Sequence, residues 1–271
     1  MPSPKTATTS ATETSGAQRI TKETTVTNEE TEEKLRTMNL LGMLDAWNEQ
    51  RASPKSEELG FDERFGLMVD AEALHRENRR LKRSLREAKL KQNSACIEGI
   101  DYPPKRRLDK AVVRQLASCR WVKEAQNVSV SGSTGTGKTY VACALAHQAC
   151  RKGYRALYRR MPSLFQELRL AHADGSRPRL MARYARMNVL VIDDFGIAPL
   201  TDQDRQDLLE LFDDRYDAGS VVISGQLPPE QWHEYINDPT LADAICDRIL
   251  HRVHKLNLSG PSRRKEPPIK N

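Results

Sequence analysis

Gly132, Ser133, Thr134, Gly135, Thr136, Gly137, Lys138 and Thr139 follow the spacing G-x-x-x-x-G-K-[ST], directly after the strand-like run Asn127-Val128-Ser129-Val130-Ser131. Glycines at such places let a backbone wrap closely around phosphate oxygens, with N–H groups and the start of the next helix facing the negative charge. The pattern therefore predicts a nucleoside triphosphate, ATP, as ligand. Lys138 would reach the β- and γ-phosphates and the Thr139 hydroxyl would hold Mg²⁺. From Tyr140 to Ala146 apolar residues recur at helical spacing, as a helix packed on a sheet requires. A glycine-rich turn without a ligand is the plainer alternative, and strand, loop and helix in the required order weigh against it.

A second acidic motif lies further along. Asn188-Val189-Leu190-Val191-Ile192-Asp193-Asp194 is an apolar run ending in two carboxylates, which predicts a buried parallel strand with acids at its C-terminal edge, where open α/β sheets bind ligands. Asp193 is placed on Mg²⁺ and Asp194 on the attacking water. Two solvated carboxylates in a strand-end turn are the alternative.

The elements that must position these groups can be traced from the start of the chain. Residues 1–34 are rich in Thr, Ser and Glu and poor in large apolar side chains, so a disordered tail is expected. A helical domain over 35–92 follows, its first helix carrying Met38, Leu40, Leu41, Leu44 and Trp47 with Thr37 as cap. After a break at Ser53-Pro54, a longer helix starts near Phe61 and places Leu74, Leu81, Leu85 and Ala88 on an apolar stripe. Its other faces carry Arg76, Arg79, Arg80, Lys82, Arg83 and Arg86, a cationic surface suited to the phosphates of double-stranded DNA, or else a solvated arginine-rich face. Residues 93–107, with Pro103-Pro104 and Lys105-Arg106-Arg107, are expected to be a linker, 108–260 an ATP-binding core and 261–271 a basic tail. In the core, strands over 127–131, 154–158, 188–193 and 220–224 alternate with helices over 109–118, 138–151, 162–172, 202–217 and 239–251. That alternation predicts an α/β fold with a parallel sheet covered on both faces. Gly153 should end the helix after the phosphate loop and Thr201 should cap a later one.

Composition narrows the setting. The 271 residues, 38% hydrophobic, suffice for one large and one small domain, and 43 basic against 37 acidic residues give a net charge of +6. No apolar run reaches membrane-spanning length and Met1 to Thr37 lacks a signal-peptide core, so a cytoplasmic protein without a membrane partner is expected. Cys96, Cys119, Cys143, Cys150 and Cys246 read as reduced thiols, and neither they nor the histidines have the spacing of a zinc site.

The phosphate loop, Val189-Leu190-Val191-Ile192-Asp193-Asp194-Phe195-Gly196, the run Asp207 to Tyr216, Gln226-Leu227-Pro228 with Trp232-His233-Glu234, and above all Asp238-Pro239-Thr240-Leu241-Ala242-Asp243-Ala244-Ile245-Cys246-Asp247-Arg248-Ile249 resemble the IstB-like transposition helper ATPases of insertion sequences. That family is similar to the DnaC helicase loaders and belongs to the AAA+ class of P-loop NTPases. The resemblance covers residues 35–265. It implies an AAA+ core preceded by a small all-α domain, ATP hydrolysis with Mg²⁺, ATP-dependent assembly into a homo-oligomer on target DNA, and recruitment of the transposase of the same mobile element. It also implies that Gln226 is the sensor-1 residue, although the family usually has Thr-Ser where this chain has Ser224-Gly225. Arg248 matches the arginine-finger position, with Arg252 as the competing candidate and an ion pair to Asp243 or Asp247 as the alternative role. The C-terminal helical lid of many AAA+ proteins is expected to be missing, and no sensor-2 arginine is assigned, Arg263 and Arg264 being available in the tail. Two rivals stay open: a DnaC-like replicative helicase loader, and an ATP-gated DNA-binding scaffold with little turnover.

Overall fold

The structure, a computed structural model, describes residues 28–263. The tail expected over 1–27 and the basic residues from Arg264 onward lie outside the described residues. Within the stretch expected to be a tail as far as residue 34, residues 28–37 form a helix, α1. The chain divides between Arg79 and Arg80 into two compact units.

The first unit holds α1, α2 (Leu41–Ala52), a 3-10 turn (Pro54–Glu58) and the opening turns of α3 (Phe61–Ala88). Leu35 and Leu44 are its buried leucines. Gly42 is required where α2 meets α3, since a Cβ there would lie 2.6 Å from the Ala71 carbonyl oxygen. Thr37 does not cap α2. It lies in the last turn of α1, and Leu40 stands at the α2 N-cap without a side-chain bond. The cap comes from α3 instead, where buried Glu72 accepts from the N–H groups of Gly42 at 2.8 Å and Met43 at 3.1 Å and from Arg76 Nε at 2.7 Å. Burial would raise the Glu72 pKa, but the hydrogen bonds from Arg76, Met43 and Gly42 outweigh it and hold the carboxyl below its ordinary value. Leu74, expected on the apolar stripe, is 59% exposed.

The second unit begins with the last turns of α3, whose Leu81, Leu85 and Ala88 join a hydrophobic core. The expected linker over 93–107 is no loose connection: Ala95, Ile100 and even Arg106 are buried. The elements then run α4 (Lys110–Ala117), α5 (Arg120–Lys123), β1 (Asn127–Gly132), α6 (Lys138–Arg151), β2 (Ala156–Arg160), α7 (Met161–Ala173), α8 (Arg177–Ala185), β3 (Val189–Phe195), α9 (Asp202–Asp213), β4 (Ser220–Gly225), α10 (Trp232–Ile236), α11 (Pro239–Leu250) and β5 (Val253–Leu258). Five strands pair in the order β2-β3-β4-β1-β5, all parallel.

Side-chain alternation splits the core into two layers. Val189 and Val191 face a cluster with Val128, Val130 and the α6 residues Val141 and Leu145. Leu190 and Ile192 face another with Leu164, Leu208, Leu211 and Ile245 from α7, α9 and α11. A strand buried on both faces must be apolar throughout, which is why β3 shows as an unbroken run. The strand β5 goes beyond the four expected: in Val253-His254-Lys255-Leu256-Asn257-Leu258 only Leu256 and Leu258 are buried at a period of two, too short a pattern to mark an edge strand by itself. Gly153, at φ +86°, follows the C-cap of α6, and Thr201 caps α9 in a reciprocal box with Asp204. Among the described residues only 259–263 follow β5, and they include no lid helix.

Candidate nucleotide site

The loop between β1 and α6 lies at the C-terminal edge of the sheet. Gly132, Gly135 and Gly137 have φ of +146°, +85° and +92°, a region that side chains with a Cβ rarely enter. The loop is braced internally by Thr136, whose hydroxyl donates to the Ser133 carbonyl at 2.8 Å. Lys138 Nζ donates to the same carbonyl at 2.9 Å, so the ammonium lies folded over the loop. Left-handed glycines, a lysine over the loop and a helix start fit a nucleotide phosphate chain.

The two acids lie at the end of β3, separated from β1 by β4. Asp193 is 1% exposed and its Oδ2 accepts from Thr139 Oγ1 at 2.9 Å and from Tyr158 Oη at 2.6 Å, while Oδ1 accepts from Ser224 Oγ. Burial, then the bond to Asp193, pushes the Tyr158 pKa up, so the phenol stays a donor. Thr139 and Asp193 thus bring together a hydroxyl and a carboxylate, oxygen ligands of the kind Mg²⁺ takes.

Asp194 is positioned by an irregularity in the sheet. Register passes from Ile192↔Ile223 to Phe195↔Gly225, so β3 carries one residue more than β4 at this point. Asp194 occupies the bulge at φ +60°, a conformation Asp tolerates better than most residues. Its Oδ2 accepts from Arg160 Nε at 2.7 Å, and this bond, before the coulombic attraction, raises the Arg160 pKa. The bulge also explains Gly225, where the resembled family usually has a residue with a side chain. A Cβ at this position would overlap the Phe195 carbonyl oxygen. Gln226 follows β4 directly and is exposed. Tyr158 and Arg160 are not singled out by the sequence, and Ser224 only as part of the Ser224-Gly225 departure; their signal is position alone, at the ends of strands that flank Asp193 and Asp194.

Arg248 is elsewhere. It lines a small pocket with Asn127, Gly219 and Val221, residues at the N-terminal ends of β1 and β4, and so lies at the sheet edge opposite the phosphate loop. Its Nε donates to Asp213 Oδ1 at 2.5 Å and Nη1 lies 3.6 Å from Asp247; the bond to Asp213 comes first in raising its pKa. Asp243, expected as a partner, pairs instead with His233 at 3.2 Å. Arg252, in the same pocket, is 3.7 Å from Asp217.

The cations of α3 are partly engaged. In the first unit Arg76 pairs with Glu72 and Arg79 Nη1 donates to Asn39 Oδ1 at 3.3 Å. In the second, Arg83 pairs with Glu87 at 2.9 Å, the Arg80 guanidinium lies over Gly153, and Lys82 and Arg86 are exposed. All five cysteines are free, and no described helix is long and apolar enough to cross a membrane.

Comparison with known proteins decides the family. The model of the IstB-like ATP binding proteins matches residues 33–270. The chain belongs to this IstB-like family. A Sinorhizobium fredii relative named as an insertion-sequence ATP-binding protein is 43% identical over 86% of this chain and 95% of its own length. A Pseudomonas fluorescens relative, named as the ATP-binding protein of insertion sequence IS1162, is 46% identical over 72% and 84%. The fold of the IstB-like chain is shared by the DnaC helicase loader, with TM-score 0.51 and 19% identity over 61% of this chain and 97% of that one, and by DnaI, with 0.53 and 21% over 63% and 91%. By its family the chain is an ATP-binding protein, and its five-stranded parallel sheet belongs to the fold it shares with the DnaC helicase loader and DnaI.

Proposed function

We propose that this protein is an ATP-dependent helper of transposition that assembles on duplex DNA, hydrolyses ATP, and recruits or stimulates the transposase of its own mobile element. The observation that carries the reading is the meeting of Thr139 with Asp193 across the sheet, next to an Asp194 held in a bulge. In this reading the loop Gly132 to Thr139 binds the phosphates, Thr139 and Asp193 hold Mg²⁺, Asp194 orients the attacking water and Gln226 contacts the reacting end. Mg²⁺, when bound, neutralises charge on the β- and γ-phosphate oxygens. Names of relatives support the tie to insertion sequences. The proposed domain roles place DNA on the helical region and ATP on the core.

Because Arg248 lies at the sheet edge away from its own phosphate loop, a catalytic role for it requires a neighbouring copy, whose transferring phosphate its guanidinium would stabilise. Leaving Asp213 is the condition for that role. Mixing Arg248→Ala with Asp194→Asn protein should restore part of the ATP hydrolysis that each lacks alone, because mixed interfaces pair an intact acid with an intact arginine. An Arg248→Ala protein that keeps the full rate would move the finger to Arg252. The wild-type rate in the same assay separates enzyme from scaffold. The Arg160–Asp194 pair favours the scaffold in one respect, since a carboxylate engaged by a guanidinium is not free to polarise water until the pair opens.

DNA binding is placed on α3. Replacing Arg80, Arg83 or Arg86 by Ala should lower the salt slope of duplex binding by about 0.9 for each phosphate no longer neutralised, with similar affinity losses on unrelated sequences. The triple Ala variant should still bind ATP yet fail to assemble on DNA. Fluorescence anisotropy at several KCl concentrations reads this, and an unchanged slope and affinity would make the helix a solvated face.

A further inference from the structure

The three glycines of the phosphate loop all have a neighbour pressed on them from outside the loop. A Cβ at Gly132 would overlap the Leu258 carbonyl oxygen, one at Gly135 would overlap Ser262, and one at Gly137 would overlap the Arg106 guanidinium. These neighbours come from two short segments, residues 101–107 before the core and residues 258–263 at and after the end of β5. The segments are joined to each other and to the loop. Ser259 N–H donates to the Arg106 carbonyl at 3.0 Å and Ser259 Oγ to the Lys105 carbonyl at 2.9 Å. Arg263 N–H donates to the Gly135 carbonyl at 3.0 Å, and Arg106 Nε donates to the Thr136 carbonyl at 3.2 Å. Asp101 is the clasp: Oδ1 accepts from Arg106 Nη1 and Arg263 Nη1, both at 2.6 Å, and Oδ2 accepts from Arg263 Nη2.

Both loop groups engaged by the two segments, the Gly135 and Thr136 oxygens, are carbonyls. A phosphate is bound by N–H groups, so these bonds use hydrogen-bonding groups that a phosphate cannot use. Arg106 is buried to 3% exposure; its Nε and Nη1 are committed to the Thr136 carbonyl and to Asp101, and its Nη2 has no hydrogen-bond partner among the described residues.

We propose that residues 101–107 and 259–263 form a strap on the outer side of the phosphate loop, closed by the Asp101–Arg263 pair, which holds the loop in its nucleotide-receiving shape and is itself tightened when nucleotide binds. Asp101, Arg106 and Arg263 are positioning residues that act through the loop backbone. The proposal rests on nucleotide being held by this loop. The coupling is reciprocal: whatever factor strap closure adds to nucleotide affinity, nucleotide adds to strap closure.

The test measures affinity for a fluorescent ATP analogue and hydrogen exchange over 259–263, with and without ATP, in the full-length protein. ATP should slow exchange at Ser259 and Arg263, whose amides close the strap. Arg263→Gln should weaken nucleotide binding by roughly three- to fivefold, as removal of a half-exposed ion pair does, and Arg263→Lys should recover part of it. A chain ending at Leu258 should lose more, within the roughly 5- to 150-fold range usual for coupled sites. Melting without nucleotide identifies any variant that fails to fold, and the exchange measurement on wild-type protein stands without variants. Wild-type protein that binds the analogue but shows equal tail exchange with and without ATP, or an Arg263→Gln protein of wild-type affinity, overturns the strap. Wild-type protein that does not bind the analogue would instead overturn the nucleotide reading beneath it.

Discussion

Replacing Lys138 by Ala should weaken ATP binding by about 100-fold, the upper range for removing a charged hydrogen-bonding group from a charged ligand. The side chain is only partly buried and donates to the Ser133 carbonyl of its own loop, and the melting temperature of the variant checks that it folds. ATP-dependent assembly should vanish with the nucleotide, while DNA affinity at low salt, placed on α3, stays within a factor of a few. Titration calorimetry with ATP and anisotropy with a labelled duplex read the two properties separately. Wild-type ATP affinity in this variant would remove the loop from the nucleotide site.

Asp194→Asn divides binding from turnover. Asn also tolerates the left-handed conformation that the bulge imposes at φ +60°, so the strand end should keep its shape. The variant should bind ATP with affinity close to wild type and assemble on DNA, yet hydrolyse at least about 100-fold more slowly, the scale of a missing general base or water-orienting group. Weakening of the Arg160 pair should follow from the same change, since an amide does not match a carboxylate as acceptor for a guanidinium. Parental turnover by this protein would show that another group orients the water. Phosphate release at saturating ATP is the measurement, with binding checked independently.

The parts of this protein that could be read from sequence are those whose physics is contained in a short stretch of chain. Strand, glycine loop and helix follow one another between Asn127 and Arg151, so the loop and its lysine were legible together. The run Val189 to Ile192 announces burial on both faces because every residue is apolar, and the acids at its end mark the sheet edge. Thr201 and Gly153 likewise carry their cap signals locally.

Other features depend on partners that only folding brings together. The α2 cap comes from Glu72, 30 residues away, which no pattern around Thr37 could disclose. The edge strand β5 presents an alternating pattern too weak to separate from a loop until it lies beside β1. The bulge at Asp194 arises from the register of β3 against β4, hence from Gly225 and Phe195 together. The Arg160–Asp194 pair joins residues 34 apart, and the Asp101–Arg263 clasp joins residues 162 apart. The sequence by itself determined where the glycine loop, its lysine and the two acids lie along their strands and helix, because backbone freedom and side-chain charge are local properties. Only the tertiary structure decided which residues restrain them, because that restraint consists of contacts between segments that share no position along the chain.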